Sequence, residues 1–384
     1  ASLVDSASVR RKLGEFSNGL PVLLGMDAAF RDDVDDAMQH CLTWYESLNS
    51  GVATPPLLLI TGCNVLSYGH LLNGNFGEAL DVHFHWKDMS TEDFPAFGLV
   101  YASCLEGMIN LHRGDIAGSE RGFAKARDVA EGRLGFFSIY TAFSTAFQAE
   151  IRYQKADARF LLEEVFPCLN TISQIGMVDS LLHAYPAVAA VLYAEGRQVE
   201  AGEVLDRAES VARLCDWPRL TLACLRQRLR FSILAHSSVD RQMIMSRVEK
   251  IEKLSQTRGL NISGLYFLCM IKAENLSAVG RYKEAISIIE DLRKSLKERG
   301  FSYLLFLSGV NLAFLYAACG DNDKMSSALM AECIDYASSE KLVQAFVDAS
   351  YLCPGYWKRF RASLVVTEHD QFLLLLDKLL LPSF

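Results

Sequence analysis

Apolar positions along this chain recur at helical spacing, and small residues punctuate them. In the stretch VGRYKEAISIIE, residues 279–290, Ile286 and Ile289 are followed by Leu292, which places all three on one face of a helix. Alternating polar and apolar runs, the mark of half-buried strands, are almost absent. The same phrase returns as NGNFGEALDVHF from Asn73, as AEGRQVEAGEVL from Ala194 and, more weakly, as HRGDIAGSERGF from His112. Turn glycines stand at Gly74, Gly114, Gly196, Gly280 and Gly320, separated by 40, 82, 84 and 40 residues. These are one or two periods of about 41 residues. Two missing turns should fall near residues 154 and 238, and one more step back reaches Asp32. The pattern predicts about eight helix pairs.

The recurring residues have mechanical reasons to recur. A glycine ending a helix adopts the left-handed conformation without a Cβ clash and lets the chain reverse. Just after the turns stand Ala37, Ala79, Ala201 and Ala285, and in the preceding helices stand Ser67, Gly107, Ala189, Ala273 and Ala313. Small residues facing each other let antiparallel helices cross closely. The expected fold is all-α, a superhelical α-solenoid. It divides into N-terminal helices with a first degenerate repeat over 1–50, the repeat domain over 51–340, and C-terminal capping helices over 341–384.

The order of small residue, glycine, aromatic and alanine resembles the tetratricopeptide (TPR) repeat, lengthened from 34 residues to about 41. A narrower resemblance is carried by AEIRYQKADARFLLEEVFPCL, by AVAAVLYAEGRQVEAGEVLDRAESVARLCDWPRLTLACLRQRLR and by EKLVQAFVDAS. These segments resemble the sensor region of MalT-type regulators, which are LuxR-family transcriptional activators of the STAND class of ATPases. The resemblance implies an effector-sensing and oligomerisation domain that binds a small-molecule inducer on its concave surface and self-associates. ATP would be used by an NTPase domain of the parent protein, and DNA bound by its helix-turn-helix. Neither part is expected here. The chain has no G-x-x-x-x-G-K-[ST], and residues 351–384 are too few for a DNA-binding module.

Composition narrows the classes further. Hydrophobic residues make up 51% of the 384, ample for a core, and the net charge of −8 gives no support for gripping a nucleic-acid backbone. The ten cysteines lack paired spacing, which fits buried thiols in a reducing cytosol, so a cytoplasmic location is expected. The basic Arg10–Lys12 precedes an apolar run too short for export, and Asp377 and Lys378 interrupt FLLLLDKLLLPSF, so no membrane partner is expected.

Candidate chemistry is thin. His83 and His85 in DVHFHWKD are two apart, which turns them to different helix faces, so no metal site is expected. The acidic RDDVDDA (Arg31–Ala37) lacks the glycine and terminal glutamate of a calcium loop. YWKRFR (Tyr356–Arg361) reads as a solvated helix face. With no H-E-x-x-H or G-x-S-x-G, neither an enzyme nor a cofactor is expected.

Function is then expected on the concave surface, which the first helix of each pair lines. Counting back from each turn, the inner stripe holds Asn64, Tyr68, Tyr101, Met108, His183, Tyr193, Phe267, Met270, Glu274 and Phe314. The glycine-free units add Gln148 and Arg228. The ligand-binding candidates are Tyr68, Tyr101, Met108, His183, Tyr193, Arg228, Phe267, Met270 and Phe314. A clamp for a peptide carboxylate needs several converging cations and amides. Here Arg228 stands nearly alone among aromatic and methionine side chains, a lining that suits a largely apolar small molecule. The alternative is a TPR-like scaffold for a protein or peptide partner.

Overall fold

The computed structural model describes residues 19–48, 54–86, 91–136, 138–320, 323–364 and 369–381. Arg10–Lys12 and the beginning of the first unit lie outside the described residues. Among the described residues no strand occurs. Helices follow one another as pairs: α1 (Gly19–Phe30) with α2 (Val34–Leu48), α3 (Pro56–Asn73) with α4 (Phe76–His83), and α5 (Ala96–Arg113) with α6 (Ile116–Leu134). Next, α7 (Ile139–Gln154) pairs with a broken rod, α8 (Ala158–Phe160) and α9 (Phe166–Ile175). A π turn at Leu161–Val165 joins the two, just before Pro167, which has no backbone N–H to give the ladder. Then come α10 (Val178–Ala194) with α11 (Gln198–Leu214), and α12 (Pro218–Leu234) with α13 (Ser238–Arg258). The last pairs are α14 (Ile262–Ala278) with α15 (Tyr282–Glu298), and α16 (Ser302–Cys319) with α17 (Asp323–Ser338). Three short helices, α18 (Gln344–Ala349), α19 (Tyr356–Ser363) and α20 (Asp370–Leu380), follow among the described residues.

Every pair reverses through one left-handed residue. These are Asp32 (φ 60°), Gly74 (81°), Gly114 (91°), Ala156 (57°), Gly196 (80°), His236 (55°), Gly280 (78°) and Gly320 (75°). The repeat period is therefore real, and the all-α solenoid of TPR-like pairs is the fold. The two glycine-free turns sit at 156 and 236, each displaced by two residues from the evenly spaced 154 and 238.

Small residues mark the crossings inside each pair. Ala79, Ala201 and Ala285 are wholly buried, as are Ser67, Ala189, Ala273 and Ala313. Ser67 Oγ donates to Ala79 O and Ser326 Oγ to Ala313 O, both at 2.8 Å, so the serine hydroxyls are satisfied by the helix they touch. At the α5–α6 crossing a Cβ on Gly122 would stand 2.6 Å from the Gly107 nitrogen, so backbone meets backbone there. Second helices such as α15 bury one stripe, Ile286, Ile289, Leu292 and Leu296. By contrast α16 is apolar all round. It is the one helix among the described residues long and apolar enough to cross a membrane, and 72% of it is buried within the bundle.

The superhelix closes on itself. Trp217 Nε1 donates to Phe30 O (2.7 Å) and Arg219 reaches Asp32, 187 residues away, between four and five repeat periods. Tyr153 OH donates to Asp348, 195 residues on, and the rings of Phe76 and Phe301 meet edge to face at 5.0 Å. Successive turns of the solenoid thus stack directly, and the inner helices converge.

Candidate ligand-binding site

Where the first helices converge, a cavity of about 130 Å³ is lined by Glu150, Tyr153, Asp179, His183, Arg226, Arg230, Tyr303, Asn311 and Asp348, among others. Tyr153, Gln227, Arg230 and Asp348 also line a groove of about 610 Å³, so the two spaces adjoin. The groove is walled by Tyr193, Phe231, Val347 and Tyr351. Tyr193 stacks flat on Phe231, with ring centroids 3.9 Å apart.

An ion-pair network organises this space. Arg226 donates to Glu274 Oε1 (3.0 and 2.7 Å) and to Tyr266 OH (3.1 Å). One turn later on α12, Arg230 donates to the same oxygen (3.2 Å) and to Asp348 Oδ2 (3.0 Å). Burial alone would raise the Glu274 carboxyl, but the two arginines outweigh it and hold it below the usual carboxylate range. Glu150 is different. It accepts from Tyr303 OH and from Gln154 Nε2 (3.2 Å), and no lysine or arginine forms an ion pair with it among the described residues. Of the three lining carboxylates, Asp179 pairs with Arg219 and Asp348 with Arg230, which leaves Glu150 as the negative charge in the lumen without a cation.

Burial lowers the His112 imidazole to about 4, with His183 adding to the effect, and burial lowers His183 as well. Both rings are neutral at pH 7. His112 Nδ1, His183 Nδ1, Gln154 Oε1, Asn311 Oδ1 and Glu274 Oε2 are buried without a hydrogen-bond partner. Such atoms cost about 1–3 kcal/mol each when left without a partner, and His112, His183, Gln154 and Asn311 line the open cavity.

The stripe residues distribute unevenly. His183 and Phe267 line the cavity and Tyr193 lines the groove. Tyr68, Tyr101 and Asn64 line a separate apolar pocket beside α1. Met108, Met270 and Phe314 are buried to 1% exposure or less, and Phe314 packs edge to face on Tyr356. Glu274 is buried against the arginine pair. Arg228 points away from the lumen, pairing with Glu209 and Asp206 of α11 at 2.6 Å. The reason is register. With the turn at His236 instead of 238, the inner positions of α12 become Arg226 and Arg230, two residues either side of the expected one. In α7 the turn at Ala156 replaces Gln148 by Glu150 and Tyr153 in the same way. The inner surface is accordingly far more polar than the expected stripe.

The remaining motifs are absorbed structurally. His83 is buried beside Trp86 with Nε2 3.9 Å from Glu106, and this contact, with Lys125, holds the Glu106 carboxyl down at about 2. His85 meets Tyr45 OH at 3.3 Å instead. In RDDVDDA, Asp32 serves Arg219. In YWKRFR the three aromatics are buried and Arg361 pairs with Asp377 (3.1 Å).

No family model matches the chain. It is similar to the serine/threonine-protein kinase PknK of Mycobacterium tuberculosis, 27% identical over 217 residues, and equally to PknK of Mycobacterium bovis. That match covers 56% of this chain and 19% of the kinase, so the chain corresponds to a small part of the relatives it matches. Among solved structures it superposes on a Rap protein complexed with Competence and Sporulation Factor. The TM-score is 0.58 and the identity 14%, covering 94% of this chain and 96% of that one. The two share a TPR-like helical fold.

Proposed function

We propose that the chain is a non-covalent binding module that takes a peptide or protein segment of a partner into the adjoining cavity and groove. The observation that carries this reading is the set of buried, unpartnered donors and acceptors around an open space at the convergence of α7, α10, α12 and α16. A peptide backbone presents both hydrogen-bonding types at regular spacing, which suits His183 Nδ1, Asn311 Oδ1 and Gln154 Oε1. Charge selects the partner. Glu150 lacks a cation, so a lysine, arginine or amino terminus is favoured there over a carboxylate. The like fold of a Rap protein complexed with another factor supports a binding role. Isothermal titration of the chain with heptapeptide pools sorted by charge tests the reading. Saturable heat from the cationic pool supports it, and no heat from any pool overturns it.

A second reading makes the chain the effector-sensing and oligomerisation region of a larger, cytoplasmic LuxR-type activator that uses ATP and DNA elsewhere in its length. The observation favouring it is the seam of the superhelix. A seam that joins distant turns through buried Arg219 and Asp32 is where a small inducer could bias the superhelix, by ~1–3 kcal/mol of coupling. Neither reading gives these residues catalytic work.

A further inference from the structure

We propose that the apolar pocket beside α1 is a binding site for an uncharged, chiefly hydrocarbon molecule bearing one hydroxyl, and that its occupant locks the seam of the superhelix. The proposal rests on the second reading above for its consequence, while the site stands on its own geometry.

The pocket holds about 480 Å³ between α1, α3, α5 and α7, within the ~300–1,000 Å³ of small-molecule sites. No charged side chain lines it, so a carboxylate or amine would lose its hydration without a partner. Leu23, Phe30, Leu57, Phe97 and Ile139 line it while each remaining 42–48% exposed, a cluster of apolar surface left in water around one opening. Two buried polar atoms in the lining lack a partner, Asn64 Oδ1 and the Tyr101 hydroxyl. Asn64 is 4% exposed, its Nδ2 donates to Gly98 O (3.0 Å), and its Oδ1 is buried without a partner. The amide oxygen accepts and the Tyr101 hydroxyl can donate, so a ligand hydroxyl, which does both, suits the pair.

Two pocket walls are also members of the seam. Tyr68 lines the pocket, and its hydroxyl donates to Asp179 Oδ2 (2.6 Å) and accepts from Arg219 Nη2 (2.7 Å). Phe30 lines the pocket, and its carbonyl accepts from Trp217 Nε1 (2.7 Å). Two residues on, Asp32 binds Arg219 in the left-handed turn. A molecule filling the pocket adds contacts to α1 in its docked position and therefore holds the seam closed.

The test uses the full chain with 1-decanol, decane and decanoate, read by calorimetry and by hydrogen exchange. 1-Decanol should bind saturably, at least tenfold tighter than decanoate, and decane should bind more weakly than the alcohol. Phe97→Asp, at a rim position 42% exposed that stacks on Tyr140, should weaken 1-decanol at least tenfold with the helical circular dichroism and urea midpoint retained. Bound 1-decanol should slow exchange in residues 19–33 and 217–219, and Trp217→Phe should reduce that protection with binding retained. Equal 1-decanol affinity in Phe97→Asp, or tighter decanoate, overturns the site. A dimer in sedimentation that 1-decanol fails to dissociate also overturns it, giving the patch to a second copy. Binding at the pocket without slowed exchange overturns the lock while leaving the site, and the effector reading then needs an inducer bound elsewhere.

Discussion

Replacing Arg219 by methionine isolates what holds the superhelix closed. Arg219 is 1% exposed and donates to both oxygens of Asp32 (2.8 and 3.1 Å), to Asp179 Oδ1 (3.0 Å) and to Tyr68 OH (2.7 Å). Methionine keeps much of the apolar volume and removes the charge, which leaves two carboxylates buried together. Breaking a buried ion pair from one side costs about 3–5 kcal/mol, so the urea midpoint at pH 7.5 should fall by that much stability. The pH dependence should also reverse. In the wild type, Asp179 is held below the usual range because Arg219 and Tyr68 outweigh the burial that would raise it. Its stabilising contribution is present above the unfolded value near ~4 and is lost as pH falls through the folded one. In the variant, loss of the cation lets burial raise Asp179 and lifts Asp32, already raised by burial in the wild type, further still. The penalty is then absent at low pH and appears as pH rises through the raised values. Arg219→Met should therefore recover stability relative to wild type between pH 7.5 and about 4.5, and adding Asp32→Asn should recover part of it at neutral pH. A variant within about 1 kcal/mol of wild type at pH 7.5, with an unchanged pH slope, would refute the role given to the seam.

Two further predictions concern turns and buried histidines. Ala156 (φ 57°) occupies a left-handed turn that glycine fills in five other units, so Ala156→Gly should stabilise by about 0.5–1 kcal/mol in urea titration. A loss of stability would contradict the turn geometry. His112, lowered to about 4 by burial, contributes stability that is present above the unfolded value near ~6.5 and falls as pH drops toward 4. The wild type should thus lose on the order of 2 kcal/mol from this group between pH 7 and pH 5, and His112→Phe should flatten that part of the profile. Identical profiles for the two proteins would count against a buried neutral imidazole.

The architecture was legible because the repeat is written in residues with mechanical duties. Glycines at five turns and small residues at the crossings reveal the period directly. The face of the lumen was less legible, and two units account for the missed charged residues. Their turns use Ala156 and His236, and a left-handed alanine or histidine has no signature in sequence. The resulting shift of two residues selected Arg228, which faces α11, and passed over Arg226 and Arg230 within the same LRQRLR. Contacts across the seam were invisible for another reason. Asp32 and Arg219 lie 187 positions apart, and only the superhelical pitch brings them together. The apolar character of Tyr68 and Tyr101 was readable, whereas their location outside the lumen depended on how closely α7, α10, α12 and α16 converge.

The central claim is that the lumen receives a cationic segment of a partner. The most direct measurement is a fluorescence-anisotropy titration of the best cationic heptapeptide onto the wild type and Glu150→Gln. The substitution keeps an acceptor for Tyr303 and removes only the unpaired charge. Saturable binding to the wild type, weakened at least tenfold in Glu150→Gln and restored toward wild-type strength by no acidic peptide, is the predicted result. Equal affinity for both proteins, or tighter binding of acidic peptides, would contradict it.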